Sequence, residues 1–131
     1  MAGYSGTPLP KKLGITAGST VALLGAPPGV IGDLPADVAV KRQARGVADV
    51  VVAFFTERGD FERRIDALAR MIFPAGGLWV AWPKRSSGLE TSMGEDVVRA
   101  VALPLGLVDN KVCAIDETWT GLRVVWRRER R

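Results

Sequence analysis

Apolar residues fall in several short runs through the first two thirds of the chain, and these runs predict β-strands. The segments cover about 20–25, 38–41, 49–55 and 77–82. Residues 49–55 and 77–82 are apolar at nearly every position, which is typical of strands buried on both faces in the middle of a parallel sheet.

Between the last two of these segments the pattern changes to a helical period. Residues 61–73 place Phe61, Ile65, Leu68 and Ile72 on one face, with charged residues mostly elsewhere. A strand, a helix and a second strand with short connections form a βαβ unit, which is normally right-handed and joins parallel strands.

The second half of the chain predicts another helix and then a β-hairpin. Ser92 followed by Glu95 has the form of a capping box, which would start a helix over about 93–103. Residues 111–116 and 122–127 have the composition of two strands joined by a short connection.

Together these elements predict an α/β fold: a single three-layer, Rossmann-like domain over residues 1–131, with a mainly parallel sheet that ends in an antiparallel hairpin. The connection between 38–41 and 49–55 is too short for a helical crossover. The strand at 38–41 is therefore either very short and followed by an extended connection, or antiparallel to its neighbour, and the sequence leaves both open.

The composition narrows the classes of function. Of the 131 residues 47% are apolar and 24% are charged, as in an ordinary folded domain, and no apolar run is long enough to span a membrane. The chain has no histidine and a single cysteine, Cys113, which excludes a Ser-His-Asp or Cys-His nucleophile and any zinc-binding pattern. For the same reason we expect no bound metal. No internal disulfide can form, so we expect a cytoplasmic protein.

The net charge of +4 is concentrated at the C-terminus. The final segment, LRVVWRRERR, contains Arg123, Arg127, Arg128, Arg130 and Arg131. A solvated basic end is the simpler interpretation, so we expect no nucleic-acid partner. Binding to nucleic acid or to another acidic partner is the alternative.

The segment GSTVALLGAPPGV, residues 18–30, leads a predicted strand into a glycine turn. With the strand order and the final hairpin, it resembles a truncated class I methyltransferase, the Rossmann-like fold that binds S-adenosylmethionine. The resemblance implies a fingerprint of one acid and alternating glycines, which falls here on Leu23, Gly25, Pro27 and Gly29.

Two of these four positions depart from the fingerprint. Leu23 is not an acid, and Pro27 has no N–H to offer a ligand. Lys41 and Arg42 stand where the resemblance implies an acid for the ribose hydroxyls. We therefore predict no cofactor and no useful binding of S-adenosylmethionine. A turn that only reverses the chain and a ligand site of altered chemistry both stay open.

Three further motifs span nearly the whole chain: GYSGTPLPKKLGI (3–15), GLWVAWPK (77–84) and GLVDNKVCAIDETWTGL (106–122). They resemble a small bacterial family of domains of unknown function with a methyltransferase-like fold. This resemblance implies no particular activity.

The predicted ligand site lies where the parallel strands end, because open α/β sheets bind ligands outside the carboxyl ends of their strands. These ends carry Gly25, Gly29, Glu57 and Lys84. Lys84 follows a Trp-Pro step that restricts its direction, so we expect it to centre a weak site for a small anion. Lys11 and Lys12 are candidates to join it, and three ordinary surface lysines are the alternative.

A second candidate site lies in the predicted hairpin. It consists of Asp109, Lys111, Asp116 and Trp119, which offer two carboxylates beside an aromatic ring. Cys113, between them, is expected to be a small core residue because free cysteine is usually buried.

The preferred function is a small binding or interaction module without catalytic activity. The alternative is a divergent transferase or a binder of a nucleotide-like ligand that uses Lys84, Glu57 and Asp116 in the strand-end crevice. We also expect a homodimer through residues 122–127, since the last strand of a hairpin can lie at a sheet edge and exposed edges pair.

Overall fold

A six-stranded sheet organises the chain, with helices packed against it. The structure is a computed structural model that describes residues 6–131, so residues 3–5 of the first motif lie outside it. The elements are α1 (Leu9–Lys12), β1 (Thr20–Leu24), β2 (Ala39–Lys41), β3 (Val50–Phe54), α2 (Arg58–Ile72), β4 (Gly77–Pro83), α3 (Glu95–Ala102), β5 (Leu107–Ala114) and β6 (Trp119–Trp126).

The strand order is β2-β1-β3-β4-β6-β5. The first four strands are parallel, whereas β6 is antiparallel to both β4 and β5. The predicted fold class is confirmed. One layer of the three is made by α2 and α3, and another by α1 with the segments that follow β1.

The sequence leaves the direction of the strand at 38–41 open, and the structure shows it as β2. It is three residues long and parallel to β1, in a register that pairs Thr20 with Ala39 and Ala22 with Lys41. The described residues 42–49 then return to β3 without a helix or strand of their own. A crossover this short is possible because β2 spans so little of the sheet.

Both faces of the sheet carry a buried core, as the apolar runs predict. On one face Phe61, Ile65, Leu68 and Ile72 of α2 are at most 2% exposed, which confirms the predicted helical face. On the other face, the indole of the buried Trp79 donates to the backbone oxygen of Leu13 at 3.0 Å, which joins β4 to the end of α1. The sheet is therefore covered on both sides at its centre.

The predicted capping box is wrong. Helix α3 begins at Glu95, after Gly94, and no side chain caps it. The hydroxyl of Ser92 instead accepts the N–H of Arg58 at 2.7 Å, in the first turn of α2. Ser92 therefore caps a helix that begins 34 residues earlier in the chain.

The homodimer prediction assumes that residues 122–127 form an edge strand, and this assumption is wrong. Strand β6 lies between β4 and β5, so both of its sides are already paired, and Val125 is only 8% exposed. At this end of the sheet the edge strand is β5, whose pairing is irregular between Asp109 and Lys111. The homodimer itself stays a prediction, without this support.

No helix in residues 6–131 is both long and apolar enough to cross a membrane.

Candidate functional site

A cleft of about 380 Å³ opens at the carboxyl ends of β1 and β3. We call it the carboxyl-edge cleft. Its walls combine aromatic rings, a backbone turn and charged side chains from the start of α2. The residues that line it include Gly25, Phe54, Thr56, Asp60, Arg64 and Trp119.

Gly25 forms the wall of the cleft at the end of β1. Its φ is +67°, in the left-handed region that side chains disfavour. An ideal Cβ at this position would lie 3.3 Å from the backbone oxygen of Phe54. Gly29 has a similar φ of +69°, but a Cβ there would meet nothing within 4 Å. The turn therefore requires glycine at both positions, and only Gly25 permits a close approach to β3.

An aromatic pair next to Gly25 forms a further part of the lining. The rings of Phe54 and Trp119 meet edge to face, with centroids 5.1 Å apart. The carboxylate of Asp116 accepts the backbone N–H groups of Thr118 and Trp119, both at 2.8 Å. Asp116 therefore shapes the turn that brings Trp119 to the cleft.

Lys84 fixes the same turn from the end of β4. Its ammonium donates to the backbone oxygen of Asp116 at 2.6 Å, and its N–H donates to the oxygen of Thr118 at 2.8 Å. Lys84 is not one of the residues that line the carboxyl-edge cleft. An anion bound by Lys84 stays a prediction, and such an anion would compete with the bond to Asp116.

Glu57 and Thr56 tie the rim of the cleft to the segment before α3. The Ser92 hydroxyl donates to the carboxylate of Glu57 at 3.3 Å. The hydroxyl of Thr91 donates to the backbone oxygen of Thr56 at 2.6 Å. Of the predicted strand-end residues, Gly25 alone lines the cleft, whereas Glu57, Lys84 and the carboxylate of Asp116 brace its walls.

The charged wall of the cleft contains a cation that the sequence prediction missed. Arg63 forms an ion pair with Asp60 one helical turn away. Arg64 is exposed, and no carboxylate in the described part of the chain pairs with it. A charged helix position usually faces solvent, and Arg64 lies in the second turn of α2, so no local sequence signal distinguishes it from an ordinary surface charge.

The two predicted lysines of α1 lie away from the cleft lining. Lys12 is close enough to Cys113 to act on its thiol, whose pKa is raised chiefly by burial and lowered in part by this lysine. Lys11 is exposed. Cys113 is 8% exposed, so its prediction as a core residue is confirmed.

Of the four residues of the predicted hairpin site, only Asp116 and Trp119 contact each other. Asp109 accepts a hydrogen bond from Arg99 at 3.1 Å, and this bond is the main reason why the pKa of Arg99 is raised. Asp116 follows the other end of β5, roughly 20 Å away at the usual rise of about 3.3 Å per residue. Lys111 is exposed between them. In residues 6–131 no cluster of three metal-ligating side chains is found.

No family model matches the chain, and no curated protein matches it. The bacterial family that the three sequence motifs resemble therefore stays a prediction.

Solved structures do match the fold. A methyltransferase from Aquifex aeolicus that depends on S-adenosylmethionine has a TM-score of 0.59 at 15% identity, covering 87% of this chain and 85% of its own. Magnesium protoporphyrin IX methyltransferase from Synechocystis, with S-adenosylmethionine bound, has a TM-score of 0.61 at 13% identity over 85% and 71%. The fibrillarin pre-rRNA processing protein of Methanococcus jannaschii has a TM-score of 0.56 at 13% identity over 92% and 69%.

These neighbours overturn the prediction that S-adenosylmethionine is not a ligand. That prediction rests on Leu23 and Pro27, yet the fold built around these residues is similar to one that holds the cofactor in the Synechocystis enzyme. The turn also keeps the left-handed glycines at Gly25 and Gly29 despite the loss of the Pro27 donor. The chain has the three-layer Rossmann-like α/β fold of methyltransferases that depend on S-adenosylmethionine.

Proposed function

We propose that this chain is a binding domain for S-adenosylmethionine and that the carboxyl-edge cleft holds the cofactor. The observation that carries the proposal is the position of Gly25. It lies at the end of β1, in a left-handed turn, and lines a cleft together with the aromatic rings of Phe54 and Trp119. Ligands of open α/β sheets bind at this edge. The solved neighbours include a chain with this cofactor bound, which favours it over other adenosine compounds.

The side chains of the cleft match the two ends of S-adenosylmethionine. The rings of Trp119 and Phe54 offer an apolar surface for the flat adenine. Arg64, which has no carboxylate partner among the described residues, is suited to the carboxylate of the methionine part. The volume of about 380 Å³ is in the range of small-molecule sites.

The ribose would be bound in an unusual way. The ammonium of Lys41, the last residue of β2, donates to the backbone oxygens of Arg45 and Val47 at 3.1 and 2.8 Å and so closes the loop that follows. Asp60 is the carboxylate that lines the cleft. We therefore assign the ribose hydroxyls to Asp60 on α2, in place of an acid after β2; one of its carboxylate oxygens already pairs with Arg63, which leaves the other oxygen for the ribose.

When bound, S-adenosylmethionine supplies an activated methyl group. The proposal covers binding and not transfer. The three groups of the predicted transferase site are all engaged in the scaffold: Lys84 with the oxygen of Asp116, Asp116 with the turn before Trp119, and Glu57 with Ser92. Their geometry favours the support of the cleft over acid–base work on a substrate.

The proposal is tested by calorimetric titration of the purified chain with S-adenosylmethionine and S-adenosylhomocysteine. We expect saturable binding of both at one site. Arg64→Ala should weaken it by about tenfold through loss of a charged hydrogen bond. Arg85→Ala is the matched control, because Arg85 is also exposed and lies outside the cleft lining.

Two results would contradict the proposal. The first is the absence of saturable heat at millimolar concentrations of both compounds. The second is binding that Arg64→Ala and Arg85→Ala reduce equally. If adenosine diphosphate binds and S-adenosylmethionine does not, the cleft is a nucleotide site and the assignment of the cofactor is wrong.

We also propose that the chain acts in the cytoplasm. Its single cysteine, Cys113, is buried and has no disulfide partner. A free thiol of this kind fits a reducing compartment.

A further inference from the structure

A second cavity lies at the amino ends of the strands, on the sheet edge opposite the carboxyl-edge cleft. Its volume is about 400 Å³, and we call it the amino-edge cavity. It is formed by the turn before β1 and by the residues that precede β3 and β4. The residues relevant here are Gly18, Ser19, Asp49, Ala75 and Arg123.

Arg123 enters this cavity from the middle of the sheet. It belongs to β6, where it faces Trp79 of β4 in the antiparallel register. Its guanidinium lies directly over Gly77, since an ideal Cβ there would be 2.5 Å from Nε and 2.7 Å from Nη2. Any side chain at position 77 would occupy the place of this guanidinium. A glycine at the start of β4 thus makes room for the charge of Arg123.

Within the described part of the chain, no carboxylate pairs with the guanidinium of Arg123. It is half-buried, and no hydrogen bond or ion pair joins it to another of the described residues. Its pKa is lowered, first by burial and then by the nearby positive charge of Arg131. A partly buried cation normally has a carboxylate or another acceptor. For Arg123 no such acceptor is found among residues 6–131, and the cation lines an open cavity.

The other polar groups of the cavity are mostly satisfied. The hydroxyl of Ser19 accepts the N–H of Thr16 at 3.1 Å, and a carboxylate oxygen of Asp49 accepts the N–H of Thr20 at 2.8 Å. Asp49 is exposed to water and does not pair with Arg123. The donors that have no protein acceptor among the described residues and remain open to solvent are therefore those of the guanidinium, whose planar fork suits an oxyanion.

We propose that the amino-edge cavity binds a small molecule through an oxyanion group, a phosphate or a carboxylate, held by Arg123. This site is independent of the proposed cofactor site, because the two lie at opposite edges of the sheet. The carboxylate of Asp49, which also lines the cavity, repels the bound anion and limits its affinity.

The test titrates the full chain with two simple probes, inorganic phosphate and acetate. Their binding is measured by calorimetry or by the amide chemical shifts of Gly18 and Ser19. We expect saturable binding of at least one probe, and the stronger probe identifies the oxyanion. Arg123→Gln should weaken this binding by about tenfold or more. Lys111→Gln is the control, because Lys111 is exposed and faces Arg123 across the β5–β6 pair.

Two further variants distinguish a specific loss of anion binding from a loss caused by misfolding. Gly77→Ala keeps the charge but displaces the guanidinium, so it should weaken anion binding as well. Asp49→Asn keeps an acceptor for the N–H of Thr20 and removes the repulsion, so it should strengthen binding. Circular dichroism and the titration with S-adenosylmethionine should be unchanged in Arg123→Gln, which separates this proposal from the cofactor site.

Several outcomes would overturn the inference. One is no saturable binding of either probe by the wild-type chain at tens of millimolar. Another is binding that survives Arg123→Gln, which would place the anion elsewhere. A loss of binding in Asp49→Asn would show that the ligand needs the carboxylate, and the site would then not be one for an oxyanion alone.

Discussion

The ammonium of Lys84 donates a hydrogen bond of 2.6 Å to the backbone oxygen of Asp116. The two residues are 32 positions apart in sequence, and the bond joins the end of β4 to the turn between β5 and β6. The carboxylate of the same Asp116 accepts the N–H of Trp119, which lines the carboxyl-edge cleft. One wall of the cleft thus depends on a lysine outside its lining.

The first prediction concerns this bond. Lys84→Met should lower the free energy of unfolding by about 1 kcal/mol, because the carbonyl of Asp116 loses a charged donor. It should also weaken cofactor binding indirectly, through a looser Trp119. Urea denaturation and calorimetry measure the two effects. The control is Lys111→Met, on an exposed position of the edge strand. Unchanged stability together with the loss of an anion-induced rise in melting temperature would instead favour an anion site at Lys84.

The second prediction concerns Ser92. Ser92→Ala should destabilise the chain by about 1 kcal/mol, as expected for the loss of a helix cap, since the N–H of Arg58 loses its acceptor. Ser86→Ala, in the exposed segment after β4, should have no measurable effect. Thermal and urea unfolding provide the comparison. Equal stability of the two variants would show that the bond from Arg58 contributes nothing.

Ser92 also illustrates which parts of the fold could be predicted. The strands β3 and β4 follow from continuous apolar runs, and the buried face of α2 follows from a helical period of apolar residues. Each segment contains these patterns within its own sequence. The capping box at Ser92 and Glu95 is an equally local pattern, but the structure brings Ser92 to a helix end 34 residues earlier. Such a contact depends on how the elements pack, and the residues near Ser92 contain no signal of it.

The same distinction between local patterns and packing contacts explains which parts of the candidate site could be predicted. The glycine turn and the strand ends locate the carboxyl edge, because a parallel sheet makes that edge from local features. The insertion of β6 between β4 and β5 is not visible in chain order, and it decides where Trp119 and Arg123 lie. Arg64 and Arg123 resemble ordinary surface charges in the sequence. Their roles depend on neighbours such as Gly77 that are distant along the chain.

The third prediction is a pH dependence from Cys113. Burial raises the pKa of its thiol, so the folded chain holds this proton more tightly than the unfolded chain does. The stability that the neutral thiol contributes is complete below the unfolded pKa of about 8.5 and is lost as the pH rises toward the folded value. Cys113→Ala should therefore show a smaller fall in unfolding free energy between neutral and alkaline pH. Identical slopes for both proteins, measured by urea unfolding, would contradict this prediction.

The fourth prediction compares the two glycines of the turn after β1. Gly25→Ala and Gly29→Ala impose similar backbone strain, because their φ values are +67° and +69°. Each should cost about 1 to 2 kcal/mol of stability. Only at Gly25 does the added Cβ also approach the oxygen of Phe54, at 3.3 Å, and press β1 away from β3.

The two variants should therefore differ in binding more than in stability. If the carboxyl-edge cleft holds S-adenosylmethionine, Gly25→Ala should weaken the cofactor by about tenfold, whereas Gly29→Ala should leave its affinity nearly unchanged. Calorimetry at a temperature where both variants are folded measures the difference. An equal loss of affinity in the two would assign the effect to the strained turn as a whole. Unchanged affinity in both would remove Gly25 from the binding site and, with it, the observation on which the proposed function rests.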